Sequence, residues 1–293
     1  MSRPMANVIS HAVRGVVRRC QKARNTIEWH SGHALRRQGP WLRNRWGQRY
    51  RAISLSEYHY LRDGNPETYE SALIERLLRP GMMVVDVGAN HGMFSLEAAH
   101  LIGGAGIIHA FEPAPAPRAL LVSNLEANAI TTVRTFPCAL GDTVGTARLR
   151  VHRELSGLNS LADHDVTWNR RVLPADEIVE VPLTTLDVHA QAEGLDRVDF
   201  LKIDVEGFEL GVIRGANRLL RAHRIARIML EIGDLTRTSA GVAPMAVLAE
   251  LESLDYQLHR ITPDGAIAER IQSFPATTFS ANFLALPRGQ DPA

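Results

Sequence analysis

The chain has 293 residues, 45% of them hydrophobic and 22% charged, which is ordinary for one α/β catalytic domain with an appendage rather than for a disordered or fibrous protein. No apolar run reaches the 18 residues of a membrane-spanning helix, and the N-terminus lacks the apolar core of a signal peptide. The two cysteines, Cys20 and Cys138, lie far apart in the sequence, so we expect a reducing, cytoplasmic environment and no disulfide framework.

The start of the chain carries a marked excess of positive charge. Residues 1–51 contain twelve Arg or Lys and one acid, Glu28, whereas the rest of the chain is net acidic. Three tryptophans lie among these arginines, namely Trp29, Trp41 and Trp46. Such a segment is either a solvated extension or an arm that contacts an acidic partner, an anionic substrate or a membrane surface, and no nucleic-acid signature accompanies it. We predict that residues 1–60 form a basic, loosely helical N-terminal extension and that residues 61–293 form the catalytic domain.

Apolar periodicity predicts alternating helices and strands over the first half of this domain. Short β-branched runs are typical of buried parallel strands, and apolar residues spaced by three or four are typical of helices. In chain order the pattern predicts a helix over residues 67–78, a strand over 82–87, a helix over 92–101, a strand over 107–111, a helix over 118–128 and a strand over 133–140.

The second half of the domain begins with an interruption of this alternation. In chain order the pattern predicts an extra hairpin strand over residues 146–151, a polar irregular excursion over 153–177, a strand over 198–205, a helix over 210–220, a strand over 225–232, a helix over 245–254 and strands over 256–261 and 282–286. We expect the excursion to cover the active-site edge, where residues 159–161 either contact a ligand or form a plain turn. The element order predicts an α/β fold with a doubly wound, mostly parallel sheet and an antiparallel edge hairpin.

The first strand of the domain ends in a turn that glycines punctuate. Residues 84–95 have the sequence VVDVGANHGMFS, which places Asp86, Gly88, Asn90 and Gly92 in or beside the turn. Glycines there would let a ligand touch the backbone, although a turn that serves geometry alone is the alternative. The spacing is not the Gly-x-Gly-x-x-Gly of dinucleotide sites and no Gly-Lys-Ser/Thr follows, so the turn suits S-adenosylmethionine, which has no phosphate. Asp86 would hold the ammonium of this cofactor through water or orient the loop.

A single acid follows the second strand of the domain. Glu112 lies 24 residues after Gly88. A carboxylate at this place can accept hydrogen bonds from both hydroxyls of a cofactor ribose. A solvated cap is the alternative for an acid at a strand end, and NAD sites use the same acid, so only the glycine spacing separates the two cofactors.

Three charged residues alternate with apolar ones at the end of the strand over 198–205. Lys202, Asp204 and Glu206 would share one side of that strand. Charges there are costly unless they pair or face a cleft, so we predict a catalytic role for them, with an ion pair that only rigidifies the strand end as the alternative. Glu231 ends the neighbouring strand and would lie close to this group. Our primary assignment contains no metal, but Asp204, Glu206 and Glu231 could hold Mg²⁺ unless Lys202 repels it.

Together these motifs resemble a known protein family. The segments VDVGANHGMFS, FEP at 111–113, TTLD at 184–187, VDFLKIDVEGFELGVIRGA at 198–216 and LEI at 230–232 closely resemble the FkbM family of S-adenosylmethionine-dependent methyltransferases. The resemblance implies a Rossmann-like class I methyltransferase fold and O-methylation of hydroxyls on macrolides, sugars or glycolipids. By position, it implies a cofactor site at Asp86, Gly88, Asn90, Gly92 and Glu112 and a second signature at Lys202, Asp204 and Glu206. It covers about residues 81–286, so the basic extension inherits nothing from it.

We therefore predict an enzyme that transfers a methyl group from S-adenosylmethionine to a hydroxyl of a small-molecule or glycan acceptor, with Asp204 or Glu206 as the base. No nucleic-acid partner is expected. The alternatives are a Mg²⁺-assisted O-methyltransferase and a non-catalytic binding module that docks through the basic arm. The sequence does not separate a sugar from a glycolipid or a polyketide as the acceptor.

Overall fold

The computed structural model describes residues 40–55, 68–163, 165–168, 171–233, 243–274 and 280–290, together with Thr26 and Tyr58. Within these residues the strands are β1 (Leu42–Arg43), β2 (Arg49–Tyr50), β3 (Met83–Val87), β4 (Ile107–Phe111), β5 (Val133–Phe136), β6 (Ala139–Leu140), β7 (Gly145–Val151), β8 (Val166–Trp168), β9 (Arg171–Leu173), β10 (Glu177–Thr184), β11 (Phe200–Ile203), β12 (Ile228–Gly233), β13 (Tyr256–Ile261), β14 (Ile267–Arg270) and β15 (Ser280–Pro287). The helices are α1 (Thr68–Leu77), α2 (Met93–Ile102), α3 (Pro115–Ala127), α4 (Leu186–Glu193), α5 (Glu209–Gly215), α6 (Asn217–Arg221) and α7 (Pro244–Ser253).

An eight-stranded sheet forms the centre of the molecule, in the order β14-β13-β15-β12-β11-β3-β4-β5. The five strands from β12 to β5 run parallel to one another, whereas β15, β13 and β14 pair antiparallel. Helices connect the parallel strands, as such crossovers require. This arrangement confirms the predicted Rossmann-like, doubly wound and mostly parallel sheet.

Helices cover both faces of this sheet. Val84 and Val85 are adjacent in β3, so their side chains point to opposite faces, and both are fully buried. Val84 packs in a cluster with α1 and α2, while Val85 packs in a cluster with α5 and α7. Burying an apolar side chain of this kind contributes about 1.5–3 kcal/mol, and the strands that carry the site are buried in this way on both sides.

The single strand predicted over residues 133–140 is wrong, because the chain forms two strands in different sheets there. β5 is the edge of the large sheet, whereas β6 pairs in parallel with β10, which pairs antiparallel with β7. Pro137 lies between the two strands and has no N–H to donate to a neighbouring strand. The pattern did not predict β10 or α4. The small sheet β6-β10-β7 packs against Ala114, just beyond the end of β4.

The remaining predicted elements agree with the structure apart from their ends. The helix predicted over residues 210–220 is two short helices, α5 and α6, separated by Ala216. The predicted antiparallel pair is confirmed, since β13 pairs with β15, but β15 lies between β12 and β13 and the unpredicted β14 forms the edge. Within the excursion the described residues form a 3₁₀ turn, Ser156–Leu158, and the hairpin β8–β9.

The predicted N-terminal extension is only partly within the described residues, since residues 1–39 lie outside them apart from Thr26. Residues 42–50 form the β1–β2 hairpin, which corrects the helical prediction there, whereas the described residues Thr26, Leu55 and Tyr58 are helical. Four side chains from the described part are buried among residues of the main domain: Leu42, Tyr50, Ala52 and Tyr58. The division at residue 60 remains a prediction. No helix in the described part of the chain is long and apolar enough to cross a membrane, and the cytoplasmic location also remains a prediction.

Candidate active site

A cleft opens at the carboxyl ends of β3, β4 and β11, where the sheet continues from β3 to β4 on one side and to β11 on the other. It encloses about 600 Å³, part of which is open solvent. Open α/β sheets bind their ligands at such a switch point. The predicted site residues that line the cleft are Gly88, Asn90, Glu112, Asp204 and Glu206. The others, Asp86, Gly92 and Lys202, are not part of its lining.

The turn at residues 88–92, the glycine loop, requires its two glycines because of close contacts within the protein. Gly88 and Gly92 both have a positive φ, +81° and +90°. A Cβ on Gly88 would lie 1.8 Å from the backbone oxygen of Asp204, and one on Gly92 would lie 2.2 Å from Cδ1 of Leu121. The sequence suggested instead that a Cβ would hold the ligand away. The structure thus gives a reason for these glycines within the protein, because the loop must approach the end of β11 and α3 closely, and the predicted approach of a ligand to the loop stays a prediction.

Glu112 has a buried carboxylate, and backbone N–H groups hold both of its oxygens in place. Its Oε2 accepts a hydrogen bond from Asn90 N and its Oε1 accepts one from Ala114 N, each at 2.8 Å. Burial raises the pKa of Glu112 to about 7, and the two backbone hydrogen bonds only partly oppose this rise. Each carboxylate oxygen has a second lone pair, so Glu112 can accept two further hydrogen bonds from a ligand in the cleft.

Asp86 and Lys202 form a buried ion pair next to the cleft. They lie opposite each other in neighbouring strands, with Lys202 Nζ 3.6 Å from Asp86 Oδ1 and 2.9 Å from Asp204 Oδ2. Burial opposes the charge of Lys202, but Asp204 and Asp86 raise the pKa of its ammonium above the ordinary value. Burial also raises the pKa of Asp86, whose Oδ2 accepts a hydrogen bond from Ser95 Oγ at 2.6 Å. Through Lys202, this buried pair holds the carboxylate of Asp204 in place. The predicted contacts of Asp86 and Lys202 with a ligand stay predictions.

Glu206 lies just beyond the end of β11 in a left-handed backbone conformation, with φ at +50°. Its backbone oxygen accepts a hydrogen bond from Ser160 Oγ at 2.6 Å, which ties the excursion to this strand end. Burial, followed by the nearby carboxylates of Glu231 and Asp204, raises the pKa of Glu206 well above its ordinary value. One carboxylate oxygen from each of Asp204, Glu206 and Glu231 lies within 4.8 Å of the others. The predicted proximity of Glu231 is thus confirmed.

The excursion supplies part of the wall of the cleft, as predicted. Residues 156–157 and 159–161 line it, and Ser156 Oγ donates a hydrogen bond to Asn90 Oδ1 at 2.8 Å. The excursion therefore contacts both the glycine loop and the end of β11. The lining residues that sequence reasoning did not single out include Cys138, Ser156 and Phe208. Pro137, which interrupts the predicted strand, was the one feature of the sequence from which the position of Cys138 at the cleft could have been predicted. The thiol of Cys138 is free.

A comparison with known protein families identifies the family of this chain. Residues 86–258, more than half of the chain, match the family model described as a methyltransferase FkbM domain. The chain belongs to this family. The match begins at Asp86, so it includes the glycine loop and the carboxylates of the cleft.

Several named methyltransferases align with part of this chain. It is 32% identical over 179 residues to the 31-O-demethyl-FK506 methyltransferase FkbM of Streptomyces tacrolimicus, across 54% of this chain and 68% of that protein. It is 35% identical over 156 residues to the methyltransferase sdnD of Sordaria araneosa, across 46% of this chain and 60% of that protein. The crystal structure of methyltransferase FkbM from Methylobacillus flagellatus KT aligns with 79% of this chain and 53% of that chain, at 19% identity and a TM-score of 0.45. The alignments thus span about half to two thirds of these proteins.

The chain is an S-adenosylmethionine-dependent methyltransferase of the FkbM family. The residues of the cleft fit this cofactor. Glu112 has free lone pairs on both carboxylate oxygens, which suit the hydroxyls of a ribose. Among the described residues that line the cleft there is no Lys or Arg, which a dinucleotide pyrophosphate would favour and S-adenosylmethionine does not need.

Proposed function

We propose that this protein methylates a hydroxyl oxygen of a small-molecule or glycan acceptor. The observation that carries the proposal is the pair of carboxylates, Asp204 and Glu206, that line the same cleft as Glu112. A hydroxyl must lose its proton when it becomes an ether, and carboxylates placed at the cleft can take that proton. An acceptor with its own negative charge would meet these acids unfavourably, so a neutral hydroxylated acceptor suits the cleft best.

The glycine loop and Glu112 would hold the cofactor. When bound, S-adenosylmethionine supplies a methyl group already activated on a sulfonium, so the protein's main contribution is alignment and exclusion of water. Glu112 would accept hydrogen bonds from the ribose hydroxyls, since both of its oxygens are oriented by backbone N–H groups. Asn90 would be fixed in place by the hydrogen bond from Ser156 Oγ.

The carboxylates at the end of β11 would orient the acceptor hydroxyl and receive its proton. Asp204 is held by the Lys202 ammonium at 2.9 Å, which fixes its position at the edge of the cleft. Burial and the neighbouring carboxylates raise the pKa of Glu206 well above its ordinary value, which makes its ionised form a stronger base. We therefore assign orientation to Asp204 and proton acceptance to the Asp204–Glu206 pair.

The choice of oxygen as the acceptor atom has support from one relative. The protein from Streptomyces tacrolimicus is named as a 31-O-demethyl-FK506 methyltransferase, and this chain is 32% identical to it. A polyketide-type acceptor is therefore one member of the proposed class, beside sugars and glycolipids.

Calorimetry on the purified protein tests the cofactor half of the proposal. We expect binding of S-adenosylmethionine and S-adenosylhomocysteine and no binding of NAD. A screen with a labelled methyl donor then compares hydroxylated sugars, glycolipids and macrolides with amine and thiol analogues of the same acceptors. Methylation of an amine or thiol analogue in preference to every hydroxyl compound would contradict O-methylation while leaving the cofactor assignment intact.

A divalent cation at the acceptor side is a second candidate, because the carboxylates of Asp204, Glu206 and Glu231 lie within 4.8 Å of one another. Oxygen ligands of this type suit Mg²⁺, which would lower the pKa of an acceptor hydroxyl. The Lys202 ammonium already pairs with Asp204, and it would repel a cation there. Full activity after exhaustive chelation would exclude this candidate, whereas activity restored by Mg²⁺ but lost in a Glu231→Gln variant would favour it.

A further inference from the structure

The N-terminal segment (residues 40–55) packs on the glycine loop although it lies outside residues 86–258, the range that matches the family. Tyr50 and Ala52 share a buried cluster with Ala89 of the loop. The ring of Tyr50 also stacks on that of His91, with centroids 6.3 Å apart. The loop is therefore covered by a part of the chain that the family match does not include.

The side chain of Asn124 is hydrogen-bonded to both the N-terminal segment and the glycine loop. Asn124, in α3, is fully buried. Its Oδ1 accepts a hydrogen bond from Arg51 N at 3.0 Å, and its Nδ2 donates one to the backbone oxygen of His91 at 2.8 Å. Displacing the segment would leave a buried amide without its partner, so the positions of the segment and the loop depend on each other.

The loop needs such support because its backbone conformation is unfavourable. Asn90 has a φ of +50°, a left-handed value that costs a residue with a side chain some free energy. The same residue donates its backbone N–H to Glu112, which holds that carboxylate in place. If the loop already has this conformation in the free protein, less binding free energy is lost in ordering it when the ligand binds.

We propose that the N-terminal segment holds the glycine loop in its cofactor-binding conformation, with Asn124 as the positioning residue that couples the two. The inference rests on the proposed cofactor site in the cleft. Binding coupling is reciprocal, so the cofactor should also order the segment. Ser54 Oγ donates a hydrogen bond to the backbone oxygen of Glu154 at 2.6 Å, which extends the same coupling to the excursion.

Asn128 provides a matched control, one turn further along the same helical face. Its Oδ1 accepts from Arg49 N at 2.8 Å and its Nδ2 donates to the backbone oxygens of Arg49 and Asn124, but it makes no contact with the glycine loop among the described hydrogen bonds. Replacing either asparagine by Asp keeps the acceptor oxygen and, in the ionised form, removes the donor, and at the fully buried Asn124 it also introduces a charge that the partly exposed Asn128 site would not bury. Only Asn124→Asp removes a bond to the loop.

Calorimetric titration with S-adenosylhomocysteine separates the two roles. We expect Asn124→Asp to raise the dissociation constant about tenfold, the usual effect of leaving one buried partner unsatisfied, with kcat at saturating cofactor within about twofold of wild type. Asn128→Asp should change the dissociation constant less than about twofold. The inference is overturned if Asn124→Asp binds like wild type or if both variants weaken binding equally. Failure of the wild-type protein to bind would overturn the proposed function as well.

Hydrogen exchange on the wild-type protein gives an independent readout, also usable if Asn124→Asp does not fold. We expect S-adenosylhomocysteine to slow the exchange of backbone amides in residues 49–54 together with those of the glycine loop. Slower exchange in the loop alone would overturn the inference.

Discussion

Cofactor binding should release a proton from Glu112. Burial raises the pKa of this carboxyl to about 7 in the free protein, so about half of it is protonated at pH 7. Ribose hydroxyls that donate to both oxygens favour the ionised form and lower the pKa on binding. We therefore expect release of about 0.5 proton for each cofactor bound at pH 7.

The affinity should change with pH by an amount that follows from the same pKa. With a pKa of about 7, roughly 9% of Glu112 is ionised at pH 6 and roughly 91% at pH 8, so binding should be about tenfold weaker at pH 6. In the free protein the folded state binds more protons than the unfolded state between pH 4.5 and about 7. The contribution of Glu112 to stability is thus present at low pH and is lost as the pH rises through this window, by up to about 3 kcal/mol.

Titration calorimetry at pH 7 in two buffers of different ionisation enthalpy measures the proton release, and titrations at pH 6 and pH 8 measure the affinity change. Glu112→Gln is the control, and it should release no proton and bind with the same low affinity at both pH values, at least about tenfold below wild type at pH 8. Wild-type binding that releases no proton and has equal affinity at pH 6 and pH 8 would refute the assignment of Glu112 to the ribose.

Three further perturbations probe other parts of the molecule. Replacing Asp204 by Asn should leave the dissociation constant of the cofactor within a few-fold and lower turnover by roughly 10²–10⁴, whereas loss of cofactor binding in a folded variant would contradict its place on the acceptor side. Deleting residues 1–60 should lower the melting temperature because it removes the buried side chains of Leu42, Tyr50, Ala52 and Tyr58, so an unchanged melting temperature would show that those side chains add nothing. Burial and the nearby His189 lower the pKa of His109 to about 4, so the unfolded state takes up a proton first as the pH falls from 6.5 to 4 and stability falls in that window. Denaturant unfolding of His109→Gln should show a flatter pH dependence there, and an unchanged slope would exclude this pair as its source.

The sheet could be predicted from the sequence because its strands are buried on both faces. Such strands must be apolar runs, and the acids that follow them then stand at one edge. Glu112, Asp204 and Glu206 were located in the cleft by this reasoning alone. Sequence periodicity predicts these positions because it reflects the burial of each strand, which can be read from a few consecutive residues.

The pairing of Lys202 with Asp86 could not be predicted, because it depends on the register between two strands. Lys202 lies in β11 directly opposite Asp86 and pairs with it inside the sheet, whereas Asp204 and Glu206 lie beyond the strand end. The strand ends at Ile203, so alternation alone does not place Asp204 and Glu206, but the three side chains still lie together, with Lys202 bonded to Asp204 and Asp204 close to Glu206.

The strand β10 and the N-terminal hairpin were not predicted, although β7 of the small sheet was. The two-residue strands β1 and β2 are too short to give a periodic signal, and the pairing of β10 with β6 and β7 is a contact between distant parts of the chain. The contact between Ser156 and Asn90 joins residues 66 positions apart, and nothing local in the sequence marks either residue as its partner.

The close approach of Gly88 to the backbone oxygen of Asp204 limits how this cleft can be redesigned. Any side chain at residue 88 would push the end of β11 away, so a change intended for the cofactor side would also displace the acceptor side. Variants that accept larger or different acceptors should therefore come from the excursion, where residues 159–161 line the cleft on a loop rather than on a central strand. A library randomised at Leu161 alone leaves the hydrogen bonds of Ser160 with Glu206 and of Asn159 with His152 in place, so it varies the wall of the cleft without displacing either side.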